Sequence, residues 1–433
     1  MLGRTRTRAK WLLAAWLTVM IPNAASGENS GAAIGPGADI PRDAVTGQIG
    51  SGTLTEGIAA LEAIVAADPG DDRALFALGL VRALRGFEIL GQAGYRHGAS
   101  ASLARLGGAF FPLASAVPAN PQPEPVRLED LRAAVLAAME QAAAADRALS
   151  GIDADFSLRA DIFAIRLDLN GDGVAGEDES LRAMLGRGRI LVRGEGRETL
   201  TALPVDFDRG DADWLRGYCH LTMGAGEAVL AHDHSGLFAR AGHVLFPKNE
   251  TPHEYLKSGR SPFANQRGYL GVDPIDLIAL IHLINYPVTE PDRMLQARAH
   301  FLEAITHSRA MWAHYDAEMD NKDEWVPNPK QTAAFPRAVM DDDMRAVWLR
   351  FLDDAEAVLE GRSLLPFWRG NGELGVNVGR VFTEPGGFDL ILWIQGTGAE
   401  PYLEEGAQLD MQIWRDLERV FEERTFRHMF WLN

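Results

Sequence analysis

Long stretches of this chain repeat apolar residues at spacings of three and four, with breaks at proline and glycine, so it is constrained to pack as helices joined by short turns. Leu61, Ile64 and Val65 lead to the break Asp68-Pro69-Gly70, and Leu75, Phe76, Leu78, Gly79 and Leu80 follow before Gly86, the pattern of a helical hairpin. From Arg127, Leu128, Leu131, Val135, Met139, Ala142 and Leu149 recur with alanines between them. Further helices are expected from Trp214 to about Ala231, Pro274 to Ile284, Pro291 to Met319 and Met344 to Leu359, the last preceded by Asp341, Asp342 and Asp343, read as capping acids. Near the end the period changes. Leu364 to Arg369, the turn Gly370-Asn371-Gly372 and Leu374 to Phe382 predict a hairpin, and Phe388 to Ile394 is either a third strand or a short buried helix.

With 433 residues, 47% of them hydrophobic, the chain can bury the core of one large or two modest domains. Its net charge of −18 disfavours nucleic acid as a partner. Arg4, Arg6, Arg8 and Lys10, then an apolar run from Trp11 to Ile21 and the small residues Ala24, Ala25 and Ser26, predict a secretory signal over 1–26 and a periplasmic or secreted location. No later stretch is long and apolar enough to span a bilayer, so no integral membrane segment is expected once the signal is removed. Cys219 stands alone and cannot form an internal disulfide. Residues 27–52 are glycine-rich and expected to form a flexible leader, and the prolines of 112–125 a stiff connector. These divide the chain into helical segments at 53–111, 126–200 and 201–433.

Residues 57–89 resemble a tetratricopeptide repeat, through the proline that closes one helix, the Leu78-Gly79 pair and Gly86. No second copy follows at that period, so an ordinary helix pair is an equal reading. Asp168, Asn170, Asp172 and Glu179 occupy positions one, three, five and twelve of a loop with Gly173 at six. Calcium takes about six to eight oxygens, so the loop must wrap it and close with a two-oxygen carboxylate, here Glu179. Val174 would offer its carbonyl, and Gly176 leaves room for a water. This resembles the EF-hand calcium loop and implies a helix entering through Phe156, Ala160, Phe163, Ala164 and Leu167 and one leaving through Leu181, Met184 and Leu185 to Gly186. The metal ligands expected are Asp168, Asn170, Asp172, Val174 and Glu179, the cofactor Ca2+, and its role structural. Asp206, Asp208 and Asp211 form a second acidic run that lacks a closing glutamate, since position twelve would be Gly217.

Arg216, His220, Glu227 and His234 would share one face if the helix from Trp214 runs that far, with His243 nearby, and could form a metal or acid-base site; a hydrogen-bonded seam is the plainer reading. His300, His307 and His314 form a stripe whose members lie about 10 Å apart along the axis, too far for one ion unless another helix contributes. His253-Glu254 begins like a zinc-protease motif, but Lys257 stands where the second histidine belongs. There is no phosphate loop, nucleophile elbow or cysteine pair, and the tryptophans read as core. The chain is therefore expected to be mainly α, helical hairpins or a bundle with an EF-hand-like loop and a small C-terminal β element. Its expected function is that of an exported calcium-binding protein acting as a binding or scaffold protein for a protein or peptide partner through its helical surface. The alternative is a periplasmic hydrolase or metalloenzyme using residues 216–243. Catalytic residues are unknown.

Overall fold

The computed structural model describes residues 44–50, 52–99, 117–187, 200–258, 261, 272–335, 339–370 and 372–421. The expected signal, most of the leader, the first part of the proline connector and Asn371 lie outside them.

Helix α1 (Ala44–Gly50) occupies the end of the expected flexible leader, because Val45 and Ile49, one helical turn apart, are buried in the core. Helix α2 (Leu54–Ala67) starts at a reciprocal cap, in which Thr53 Oγ1 accepts from Glu56 N (3.3 Å) and Glu56 Oε2 accepts from Thr53 N (3.0 Å). After the Asp-Pro-Gly break, α3 (Asp72–Arg96) runs 25 residues, through Gly86, Gly91 and Gly94 rather than ending near 89. It meets α4 (Leu128–Leu149) antiparallel: Gly79 lies against Leu149, and Gly86 against Ala138.

After α4 the chain is extended rather than helical. The expected entering helix is instead strand β1 (Leu158–Asp161), then a 3₁₀ turn at Ile162–Ala164 and an extended run to Leu169. Leu158, Ala160, Ile162, Ile165, Leu167 and Leu169 are all buried, and apart from the one-residue step at the 3₁₀ turn they alternate with period two; the helical spacing of Phe156, Ala160, Phe163 and Leu167 was the weaker pattern. Strand β1 pairs antiparallel with β2 (Pro204–Phe207), Leu158 facing Phe207. Helix α5 (Leu181–Arg187) leaves the loop as expected, and extends one residue past Gly186.

Helix α6 (Arg209–Leu230) begins five residues earlier than expected, capped by Asp208. It is followed by α7 (Ser235–Leu245), α8 (Pro274–His282), strand β3 (Asn285–Tyr286), the 27-residue α9 (Pro291–Ala317) and α10 (Asp342–Leu359). Asp341 Oδ1 accepts from Met344 N (2.7 Å), the expected cap. Helices α4, α6, α9 and α10 form an antiparallel series. Arg132 reaches Leu230 O while Asp146 reaches Arg216; Glu227 pairs with Arg293 while Asp211 pairs with Tyr315; Arg298 reaches Leu359 O while Arg345 pairs with Asp316.

At the C-terminal end, β4 (Leu365–Pro366) and β5 (Leu374–Val376) form the expected hairpin, but residues 378–383 are helix α11 (Val378–Thr383), because Asn377 caps it through Arg380 N. The third strand of that sheet is β7 (Leu403–Glu405); β6 (Phe388–Asp389) pairs with β3, and α12 (Leu390–Gln395) follows it directly. Helix α13 (Gln412–Val420) packs antiparallel on α10, with Asp416 at Arg350 and Arg419 at Asp343. The fold is mainly α with small antiparallel sheets, and no described helix is long and apolar enough to cross a membrane.

A Cβ on Gly79 would sit 2.5 Å from Leu149 Cγ, in a fully packed interface. Gly79→Val should therefore cost about 1–3 kcal/mol, read as a lowered urea midpoint at unchanged slope.

Candidate metal-binding sites

The 168–179 loop is closed at its stem by backbone bonds, Leu167 N to Glu179 O (3.0 Å) and Leu181 N to Ile165 O (2.8 Å), so it is a strand-loop-helix unit. Gly171 and Gly173 have φ of +73° and +84°, the left-handed bends that only glycine adopts without strain. These bends aim amides inward. Asp168 Oδ1 accepts from Gly171 N (2.8 Å) and Asp172 N (3.1 Å), and its Oδ2 from Gly173 N (3.0 Å). Asn170 Oδ1 accepts from Asp172 N (2.7 Å), and Asp172 Oδ1 from Val174 N (2.8 Å). Glu179 spans the loop: its Oε1 accepts from Leu169 N (2.9 Å) and its Oε2 from Gly176 N (3.1 Å). Asp168 and Glu179 are buried, whereas Asp172 and Val174 are exposed.

The loop is docked on α3. Asp168 N donates to Glu88 Oε1 (2.6 Å), and Gln92 Nε2 donates to Asp168 O (2.7 Å). Burial pushes the Glu88 carboxyl above its ordinary range, against the opposing charge of Arg85, its ion-pair partner. Leu169 fills the space left by Gly91.

The histidine seam differs from its expected form. Helix α6 ends at Leu230, so His234 is not on it; its ring lies 4.3 Å from that of Tyr286. Glu227 pairs with Arg293, and His243 Nε2 lies 3.4 Å from Asp276. The five residues therefore do not form one site. Arg216 and His220 do stay together, at a residue that spacing along α6 could not reveal, Asp146 of α4. Arg216 Nε donates to Asp146 Oδ1 (2.8 Å), and His220 Nε2 lies 3.6 Å from the same oxygen. The α9 stripe supplies the rest. His300 Nδ1 is 3.0 Å from His220 Nδ1, the His307 ring stacks on His220 at 5.4 Å, and His307 Nδ1 bonds Asp213 Oδ1 at 2.9 Å. His314 Nε2 lies 3.5 Å from Asp213 Oδ2.

A third group forms where the start of α6 meets the end of α9. Asp208 accepts from Gly210 N (2.8 Å) as cap, while Asp211 accepts from Tyr315 Oη (2.5 Å). Glu318, just beyond α9, and Glu324 join Asp208 at a cavity of about 380 Å³ also lined by Asp206, Asp320 and Lys322. Burial, then the charge of Glu318, pushes Asp208 up to about 8; burial pushes Glu324 up to about 7. Glu318 is raised by burial as well, and Asp211 far above its ordinary value by burial and then by Asp208. Sequence alone offered only the first run of this cluster, because Glu318 and Glu324 lie about a hundred residues away.

Among the described residues, two groups bring three ligand atoms within 4.8 Å of one another: Asp146, His220 and His307, and Asp208, Glu318 and Glu324. The carboxylates of Asp168, Asp172 and Glu179 stand farther apart, each held by its own backbone bonds. Cys219 is buried and free, and burial raises its thiol. Trp325 packs against Phe207 and Trp214, and Trp393 against Phe388 and Tyr402, as expected of core residues. Comparison with family models, with curated proteins and with solved structures finds no match to this chain.

The raised acids at the cavity bind protons more tightly folded than unfolded. From about pH 4, where unfolded carboxyls titrate, to about 8 for Asp208, the folded state carries the extra protons, and stability falls as pH rises through that window. The melting temperature should accordingly drop between pH 5.5 and 8.5 at fixed ionic strength. Asp208→Asn keeps the cap and cannot ionise, so its drop should be smaller; a parallel profile would reject the assignment.

Proposed function

We propose that this is an exported calcium-binding protein in which the 168–179 loop holds one structural Ca2+ and the helical array serves as a binding or scaffold surface. The observation that carries the reading is the loop's ligand set. Asp168 and Glu179 are buried carboxylates whose only partners among the described residues are backbone amides, with no described lysine or arginine paired to either. A carboxylate has about four acceptor positions, and each of these uses three. Two buried negative charges with acceptor capacity left over call for a cation. The oxygen-only set, Asp168, Asn170, Asp172, the Val174 carbonyl and Glu179, suits calcium rather than a softer metal. Binding requires the exposed Asp172–Val174 side to close on the buried pair.

A structural role follows from where the loop is anchored. It joins β1 to α5 and is clamped by Glu88 and Gln92 of α3, so an ion that tightens it also fixes those elements against the helical hairpin. The partner-binding half of the reading draws support from exposed apolar side chains on two touching helices, Ile275, Ile278 and Ile281 of α8 with Ile391, Leu392 and Ile394 of α12.

Extracellular calcium modules bind at about 10⁻⁴–10⁻³ M, so 10 mM calcium should stabilise the fold by about 1.4–2.7 kcal/mol. Melting with calcium and with chelator measures this. Glu179→Gln should abolish most of the difference, whereas equal melting of the wild type in both conditions would overturn the proposal.

A further inference from the structure

Three helices converge on Asp146, His220 and His307, and the outward nitrogen of each imidazole is accounted for. Asp213 can only accept from His307 Nδ1, 2.9 Å away, so that nitrogen carries the hydrogen and Nε2 keeps its lone pair. His220 Nδ1 faces His300 Nδ1 at 3.0 Å; with the shared hydrogen on His220, its Nε2 also keeps a lone pair, and that atom points at Asp146. The 3.6 Å between His220 Nε2 and Asp146 Oδ1 is too long for a hydrogen bond. It is close to the spacing of two ligands on one tetrahedral ion, about 3.3 Å for bonds of about 2.0–2.1 Å. A carboxylate backing the far nitrogen of a histidine is the arrangement that orients metal-bound imidazoles.

We propose that Asp146, His220 and His307 form a three-ligand site for a divalent transition-metal ion of the Zn2+ type, with Asp213 and His300 as the groups that orient the two imidazoles. It is separate from the calcium loop in elements and in chemistry, since two imidazoles exclude an oxygen-seeking cation. The ligand atoms lie within 4.8 Å of one another, so closure on an ion needs side-chain movements of about 1.5 Å or less.

The surrounding charges are compatible. Arg216 Nε donates to Asp146 Oδ1 at 2.8 Å, an ion pair that suits a carboxylate ligand. Among the described residues, Arg216 on Asp146 Oδ1 is the one cation in contact; Asp146 and Asp213 together outweigh it, and Glu227 and Glu303 add negative charge around His300. Arg216 also fixes the carboxylate's orientation. Asp146 and His220 retain 20% and 12% side-chain exposure, so an ion can reach them.

The test uses the full chain stripped with chelator. Zn2+ titration followed by calorimetry and elemental analysis should give one equivalent, and Co2+ in its place should develop visible d–d absorption. Asp146→Asn, His220→Gln and His307→Gln should each weaken binding at least tenfold and remove the Co2+ bands, and Asp213→Asn should weaken it about 10–100-fold. Glu179→Gln should leave Zn2+ uptake unchanged, which separates this outcome from failure of the calcium reading. Melting of the stripped variants checks folding; if the buried His307 variant does not fold, the more exposed His220 and Asp146 variants decide. Absence of stoichiometric Zn2+ in the wild type, or uptake undiminished in those two variants, overturns the proposal.

Discussion

The close antiparallel contact of α6 with α9 is the constraint from which the polar architecture follows. Gly210 leaves room for the Tyr315 ring, and Gly224 for Phe301 and the Ala297 carbonyl, so the two backbones approach at both ends of α6. Polar side chains then meet across the interface: Asp211 with Tyr315, Asp213 with His307, His220 with His300, and Glu227 with Arg293. A slip of one helical turn would break all four pairs and leave buried polar groups unsatisfied, each costing about 1–3 kcal/mol. Apolar contacts along the same helices tolerate such a slip far better, so the polar pairs set the register.

The same geometry explains why the two ends of α6 differ in character. At its start, free amides and the positive end of the helix dipole favour Asp208 and Asp211, yet the negative end of α9 lies alongside and places Glu318 where its charge is disfavoured. Three acids meet there at a cavity where the neighbouring Arg209 bonds the Ile152 carbonyl, and burial raises all three. Two turns further along, Arg216 pairs with Asp146 and the imidazoles bond one another and Asp213, so the middle of the seam is polar without a cluster of unpaired acids. At the far end Arg293 bridges Glu227 and Glu290. One helix pair thus carries three electrostatic environments.

Periodicity in the sequence was sufficient for the long helices, since Leu128 to Leu149, Pro291 to Ala317 and the helix after Asp341 appear close to their expected limits. It failed where two periods overlapped. Residues 156–169 satisfy a helical spacing loosely and an alternating one better, and pairing with β2, forty residues later, decided for strand. The turn-forming part of the loop was legible because Asp168, Asn170, Asp172, Gly173 and Glu179 fall within one short segment, and each carboxylate or amide oxygen there bonds nearby backbone amides. The seam was half legible: the α9 stripe and the pair Arg216 and His220 were visible, but Asp146 and Asp213 become partners only through packing, and Glu227, His234 and His243, grouped by helical phase, disperse because α6 stops at Leu230.

The two proposed ion sites divide cations by physical rules that do not compete. The loop presents oxygens alone on a partly exposed wrap anchored at its buried ends, a geometry for a large hard ion that accepts variable coordination. The seam presents two imidazoles and one carboxylate from rigid helices, whose backbones cannot spread to make six or more bonds. An ion in the loop acts on α3 through Glu88 and Gln92, whereas an ion in the seam ties α4 to α6 and α9. The two sites share no ligand and no helix, so the loss of one ion leaves the other's ligands in place.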